Sequence, residues 1–238
     1  MPIQNEVITN KAHVYIYEDK AVKNFHDRSR NELEFANLKE VQALFREFKL
    51  NGWTYKFVQA FKVTKDEGIV MEKVLGVPML DDPKFTADNY FHAGVWLGYF
   101  HKSTRQKDLV KSFGDFTFDN IFISHESKTI TGMDPQMLKN KNYYLDLLLF
   151  FSSAIISGLK RKLPYNTDCV NKFVEGYQTY SNFQYNREIY KNTVKKVLEG
   201  FKSGAVMKRH GKLRFYAGHF LLGFNLKWHL KKVLKQYK

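Results

Sequence analysis

The stretch that most constrains this chain is Gly114-Asp115-Phe116-Thr117-Phe118-Asp119-Asn120 together with the fourteen residues from Ile121 to Asp134. Ile121-Phe122-Ile123 is a short apolar run of strand type. Ser124 to Lys128 is polar and turn-like, and Thr129-Ile130-Thr131 is again β-branched before Gly132. Two such runs pair as an antiparallel hairpin, which returns the chain to its start. Asn120 and Asp134 then sit side by side at the open end, with Asp115 on the loop just before. Three oxygen-bearing side chains so placed suit a hard divalent cation such as Mg²⁺. The plain alternative is a surface hairpin with ordinary turn polars, because an Asp and an Asn five residues apart recur by chance.

The residues upstream read as strands around one helix. His13-Val14-Tyr15-Ile16-Tyr17 alternates, Glu18-Asp19-Lys20 turns, and Ala21-Val22-Lys23-Asn24-Phe25 resumes. The spacing predicts a helix over about 29–48 with Leu38, Val41, Phe45 and Phe48 on one face. Glu34 lies on that same face, four residues before Leu38. An inward carboxylate needs a partner, because burying an unpaired charge is unfavourable, and Lys23 on the preceding strand is the candidate. Two more strands are expected over 54–61 and 68–74. Beyond Leu75 helical patterning dominates, with segments over 87–102, 143–159, 171–180 and 187–201. The boundary therefore falls near Leu75: residues 1–74 form a small strand-rich part and 75–238 a larger helical part that includes the hairpin.

Composition narrows the setting. A chain of 238 residues suits one domain or two lobes. No apolar run is long enough to span a bilayer, and the start does not read as a signal peptide. Cys169 is the only cysteine, which excludes an intrachain disulfide and a cysteine-based zinc site and makes a cytoplasmic setting the default. The net charge of +14 calls for something anionic.

Taken in order, these segments resemble the kinase-like phosphotransferases, in particular the aminoglycoside, choline and lipopolysaccharide-sugar kinase branch. Lys23 in Ala-Val-Lys looks like the strand lysine that holds nucleotide phosphates, and Glu34 looks like its helix partner. Ile69 to Val74 resembles the hinge that receives adenine, with Met71, Glu72 and Val74 in that role. Phe113-Gly114-Asp115 stands where small-molecule kinases carry His-Gly-Asp, and Asp134-Pro135-Gln136 where protein kinases carry Asp-Phe-Gly. Asp146 resembles a buried aspartate that braces the catalytic loop, and Phe173 to Tyr177 is similar to a helix of this branch. The resemblance implies an α+β, bilobal protein-kinase-like fold. It further implies ATP and Mg²⁺ as cofactors, Asp115 as the catalytic base, and Asn120 and Asp134 as metal ligands. The acceptor it implies is a hydroxyl of a sugar or other small molecule, and a basic tail lying on a membrane, described below, would point further to a lipid-linked glycan such as a lipopolysaccharide core.

Three departures accompany the resemblance. Phe113 replaces the usual histidine, Thr9 to His13 contains no glycine-rich loop, and no Ala-Pro-Glu follows Asp134. The last, with Gly114, argues against a protein kinase. The first two keep open a catalytically weak or inactive kinase-like binding protein. His101 reads as a structural histidine at a helix end, and His125 as a solvated turn residue.

The end of the chain is basic. After Glu199 no acidic residue follows, while Lys202, Lys208, Arg209, Lys212, Arg214, Lys227, Lys231, Lys232, Lys235 and Lys238 do. Leu222, Leu226, Leu230, Val233 and Tyr237 recur at helical spacing, with Phe224 and Trp228 nearby. The tail, 204–238, leaves two readings open. It lies on an anionic membrane surface, placing the protein peripherally on the inner face, or it docks on the helical part by its leucines with its lysines in water. Nucleic acid is not expected, since no recognisable module is present.

Overall fold

The computed structural model describes residues 3–8, 12–27, 29–64, 68–107, 109–135, 139–202 and 220–236. The chain divides into two compact units, one of residues 1–82 with 119–138, the other of residues 83–118 with 139–238.

The first unit is built on two sheets and a helix. Its strands are β1 (Asn5–Ile8), β2 (Ala12–Ile16), β3 (Lys20–Phe25), β4 (Phe48–Leu50), β5 (Trp53–Phe57), β6 (Ala60–Thr64), β7 (Gly68–Glu72), β8 (Val77–Pro78), β10 (Ile121–Ser124) and β11 (Thr129–Gly132), and its helix is α1 (Ser29–Leu44). One sheet runs β1-β2-β3-β7-β6 and the other β4-β5-β11-β10-β8. The expected hairpin is present, with Ile121 opposite Gly132 and Ser124 opposite Thr129.

Two expected boundaries move for local reasons. Helix α1 stops at Leu44 instead of reaching Phe48. Phe48 to Leu50 turns back on Trp53 to Tyr55 through Asn51-Gly52, whose φ angles of 51° and 78° suit a tight hairpin turn. Phe48 stacks flat on the facing Tyr55, ring centres 4.9 Å apart. The single strand expected over 54–61 is two strands in different sheets, the change occurring at Val58-Gln59. The hairpin, expected with the helical part, belongs to the first unit because β11 runs parallel to β5, Ile130 opposite Tyr55.

The second unit holds α2 (Ala87–Thr104), β9 (Val110–Ser112), β12 (Lys139–Lys141), α3 (Tyr144–Arg161), α4 (Thr167–Gln178) and α5 (Arg187–Lys202). A last helix, α6, covers 220–234 and is π-helical over Asn225–Leu230. Thr86 opens α2 with a reciprocal cap to Asn89, and the Asn166 side chain accepts from the Cys169 N–H at the start of α4. The core is aromatic: Trp96, Phe100, Phe113, Phe116, Phe118, Phe150 and Phe173 are all buried. No helix among the described residues is long and apolar enough to cross a membrane.

His125 is not simply solvated. Its Nε2 lies 3.0 and 3.1 Å from the two carboxylate oxygens of the buried Asp82, and its ring meets Trp53 edge-on. Burying Asp82 without a donor would be unfavourable, so the turn histidine is drawn down onto it. Of the residues singled out in the sequence, Thr9, Asn10, Lys11, Gln136, Lys208, Arg209, Lys212, Arg214, Tyr237 and Lys238 lie outside the described residues.

Candidate active site

In the first unit, Lys23 occupies the middle of the sheet, opposite Val14 on β2 and Ile69 on β7. It is buried, and its Nζ donates to Glu34 Oε1 at 2.7 Å and to Asp134 Oδ1 at 2.9 Å. Glu34 is delivered by α1, whose Leu38 and Val41 are buried one and two turns further on. Asp134 arrives from the hairpin. The Met133 N–H donates to the Asn120 carbonyl at 3.0 Å, which continues the pairing past Ile121 and Gly132 and places Asn120 and Asp134 at one end.

Asp134 has a φ of 62° immediately before Pro135. A residue preceding proline favours extended backbone, so this conformation is held by its surroundings at some energetic cost. Lys23 pulls on the carboxylate from one side and the hairpin fixes the backbone from the other.

These groups border a cavity of about 540 Å³ lined within the first unit by Val14, Ala21, Lys23, Glu34, Met71, Glu72, Val74, Phe122, Met133 and Asp134, among others. The size suits a small-molecule or nucleotide site. Six of the expected residues therefore meet there: Lys23, Glu34, Met71, Glu72, Val74 and Asp134. The Glu72 carboxylate is directed away, accepting from Lys56 Nζ at 2.8 Å and the Gln59 N–H at 2.9 Å. Lys73 and Val74 line the cavity and lie beyond the last ladder pair of β7, so their main-chain groups are not used in that pairing.

Electrostatics sharpen the cluster. Burial alone would pull the Lys23 ammonium down, yet Asp134 and Glu34 together hold its pKa above the ordinary lysine value. Burial, and after it the negative charge of Asp134, push the Glu34 carboxyl up to about 7 against the opposing pull of Lys23. Two carboxylates thus share one cation. Among the described residues no cluster of three or more His, Cys, Asp or Glu could hold a metal ion by itself. Mg²⁺ does not need one, because it binds through one or two carboxylates while keeping waters and substrate phosphates. Asp134 lines the cavity, whereas Asn120 is placed only at the same end of the hairpin by its main chain.

The second unit positions Asp115. Gly114, with a φ of 83°, makes the turn that a residue with a Cβ disfavours, and the half-buried Asp115 comes next. Asp146, at the start of α3 and fully buried, gathers the loop. It accepts from Ser112 Oγ at 2.7 Å, the Phe113 N–H at 2.9 Å and the Gly114 N–H at 3.2 Å. His101 Nε2 lies 3.0 Å from Asp146 Oδ2, and His101 Nδ1 lies 2.7 Å from the Tyr177 hydroxyl. The two ring nitrogens of His101 thus bridge Asp146 and Tyr177. Burial raises the Tyr177 phenol well above its ordinary pKa, which keeps it a donor.

Phe113 is packed edge-on against Trp96, Phe100 and Phe116 at 5.5 to 5.8 Å. What Asp146 holds at this position is the main-chain N–H, which every residue but proline supplies. With Phe113 in place of the histidine that the resemblance implies, the bond from this main-chain N–H to Asp146 is present. His101, Ser112 and Tyr177 carry this network, and only the helical spacing of His101 and the Phe-Val-Glu-Gly-Tyr segment hinted at it.

No protein-family model and no curated protein matches this sequence. Solved structures do match. An aminoglycoside phosphotransferase from Alicyclobacillus acidocaldarius subsp. acidocaldarius superposes with a TM-score of 0.61 at 10% identity, covering 99% of this chain and 92% of that one. A choline/ethanolamine kinase family protein from Mesorhizobium loti gives 0.58 at 10% identity over 98% and 91%. An amicoumacin kinase solved with AMP-PNP, Ca²⁺ and Ami gives 0.57 at 10% identity over 94% and 87%.

The fold is that of the kinase-like phosphotransferases. It is an α+β, bilobal fold. The ion pair and the cavity belong to the strand-rich unit with its hairpin, and the braced Asp115 loop to the helical unit.

Proposed function

We propose that this protein is an ATP- and Mg²⁺-dependent phosphotransferase acting on a hydroxyl of a sugar or other small molecule. The observation that carries the reading is Lys23, held between Glu34 and Asp134 on the wall of the cavity. In this reading Lys23 binds nucleotide phosphates and Glu34 fixes the lysine. The main chain from Met71 to Val74 receives the base, and Asn120 and Asp134 hold the cation. The bound nucleotide supplies the γ-phosphoryl group, and the cation offsets charge on it. Asp115, fixed by the Asp146 network, accepts or orients the proton of the attacking hydroxyl. Such chemistry asks mainly for positioning and charge neutralisation, which these residues provide.

The acceptor is proposed to be an anionic, glycolipid-linked sugar such as one in a lipopolysaccharide core. A net charge of +14 disfavours a cationic acceptor such as an aminoglycoside and favours a phosphorylated or acidic glycan. Transfer of labelled γ-phosphate from Mg-ATP to candidate acceptors tests the reading. Asp115→Asn should lower the rate by about two or more orders of magnitude while leaving the melting temperature unchanged. Equal residual turnover in both proteins would instead identify a non-catalytic nucleotide-binding protein.

A further inference from the structure

Helix α6 has two apolar faces, and its own unit uses only one. Leu222, Leu226, Leu230, Val233 and Leu234 are buried. The buried Tyr190 hydroxyl of α5 donates to the Leu226 carbonyl inside the π-helical turn, and His229 Nε2 lies 3.0 Å from Thr167 Oγ1. This inner face fastens the helix, as the docked reading of the tail expects.

The outer face is different. Phe220, Phe224 and Trp228 are 74%, 56% and 70% exposed, and Leu221 is exposed beside them. Positions 220, 224 and 228 succeed one another at about one helical turn and form a single ridge. Next to the ridge, α5 and α6 line a groove of about 650 Å³ that includes Trp228 and five basic side chains, Arg187, Lys191, Lys195, Lys227 and Lys231. Among the described residues Glu199 is the one acidic side chain lining it, 3.9 Å from Lys195 in a well-exposed pair. The apolar ridge and the cationic groove meet at Trp228.

We propose that this face docks on an anionic phospholipid bilayer, with Phe220, Phe224 and Trp228 at the boundary between headgroups and acyl chains and the α5–α6 groove holding lipid phosphates. Charge selects this occupant. A second copy would set the same lysines against these. Residues 203–219 carry four Lys or Arg and no acidic residue, so that segment offers no complement either. Nucleic acid would suit the groove but leave the apolar ridge in water, whereas a bilayer surface satisfies both. Each lysine near such a surface strengthens binding by about fivefold. None of these residues belongs to the proposed catalytic groups.

Trp228 is also the reporter, since Trp96 is fully buried and Trp53 half-buried. Full-length protein is titrated with vesicles of phosphatidylcholine alone or mixed with phosphatidylglycerol, with tryptophan emission and co-sedimentation as readouts. The expected result is a blue shift and sedimentation with the mixed vesicles only. Phe224→Ser should weaken partitioning by about tenfold and Lys191→Glu with Lys195→Glu by about thirtyfold or more. Both changes are on exposed side chains, and unchanged melting temperatures confirm the fold. Absence of vesicle binding, equal binding to both vesicle types, or variants that bind like wild type would overturn the proposal. So would self-association through the ridge, or binding to an RNA oligonucleotide, in protein that ignores vesicles.

Discussion

The two units each contain a buried acidic cluster, and the clusters are built on opposite terms. In the helical unit Asp146 meets four donors, from Ser112, Phe113, Gly114 and His101, and His101 is in turn closed by Tyr177. In the strand-rich unit two carboxylates, Glu34 and Asp134, divide a single ammonium beside an open cavity. The first network is saturated, and its strength is spent on holding a loop. The second sets two carboxyl groups against one ammonium, holds one residue at a positive φ, and has the Glu34 carboxyl pushed up to about 7. A fully satisfied network rigidifies, while an unsatisfied one leaves electrostatic work for an incoming cation.

The largest effect should come from breaking the saturated side. Asp146→Ala leaves a hydroxyl, two N–H groups and a buried imidazole without their acceptor, and should destabilise the fold by about 3–5 kcal/mol in denaturant unfolding. A change below about 1 kcal/mol would show that the network is not what holds the loop. Lys23→Met tests the other side. It should remove the thermal shift produced by Mg-ATP while costing less stability than Asp146→Ala, because Glu34 can take up a proton once its cation is gone.

A pH series separates the two networks further. The folded Glu34 carboxyl sits near 7 against an ordinary 4.5, so the folded chain keeps a proton that the unfolded chain gives up. The stability this group contributes is fully present below about 4.5 and declines as pH rises through about 7. Glu34→Gln should flatten stability over that window, and an unchanged slope would contradict the shared-cation account. The smallest expected effect is Tyr177→Phe, which removes one donor from His101 and should cost about 1 kcal/mol with Asp115-dependent turnover largely kept.

Much of this was legible along the chain wherever the signal was local. The hairpin from Ile121 to Gly132, its polar turn and the inward position of Glu34 on the α1 stripe depend on residues a few positions apart, which periodicity registers. The Asn51-Gly52 turn was equally local, yet the continuing apolar spacing through Phe45 and Phe48 masked it. What lay out of reach was distant pairing. β11 finds β5 across some seventy residues of chain, Asp82 finds His125, and Asp146 finds His101 and the loop at Ser112 to Gly114.

By itself the sequence determined the identities and order of the reactive groups: Lys23, Glu34, Asp115, Asn120, Asp134 and Asp146, and a helix near the end with basic residues and leucines at one spacing. Only the tertiary structure decided how those groups are satisfied. It made Lys23 a cation shared by two carboxylates and Asp146 a saturated acceptor. It sent the Glu72 carboxylate to Lys56 and split the apolar residues of α6 into a docked face and an exposed ridge. The reason is physical: covalent order sets which side chains exist and their local phase, but desolvation and hydrogen-bond satisfaction are settled among neighbours that only folding brings together.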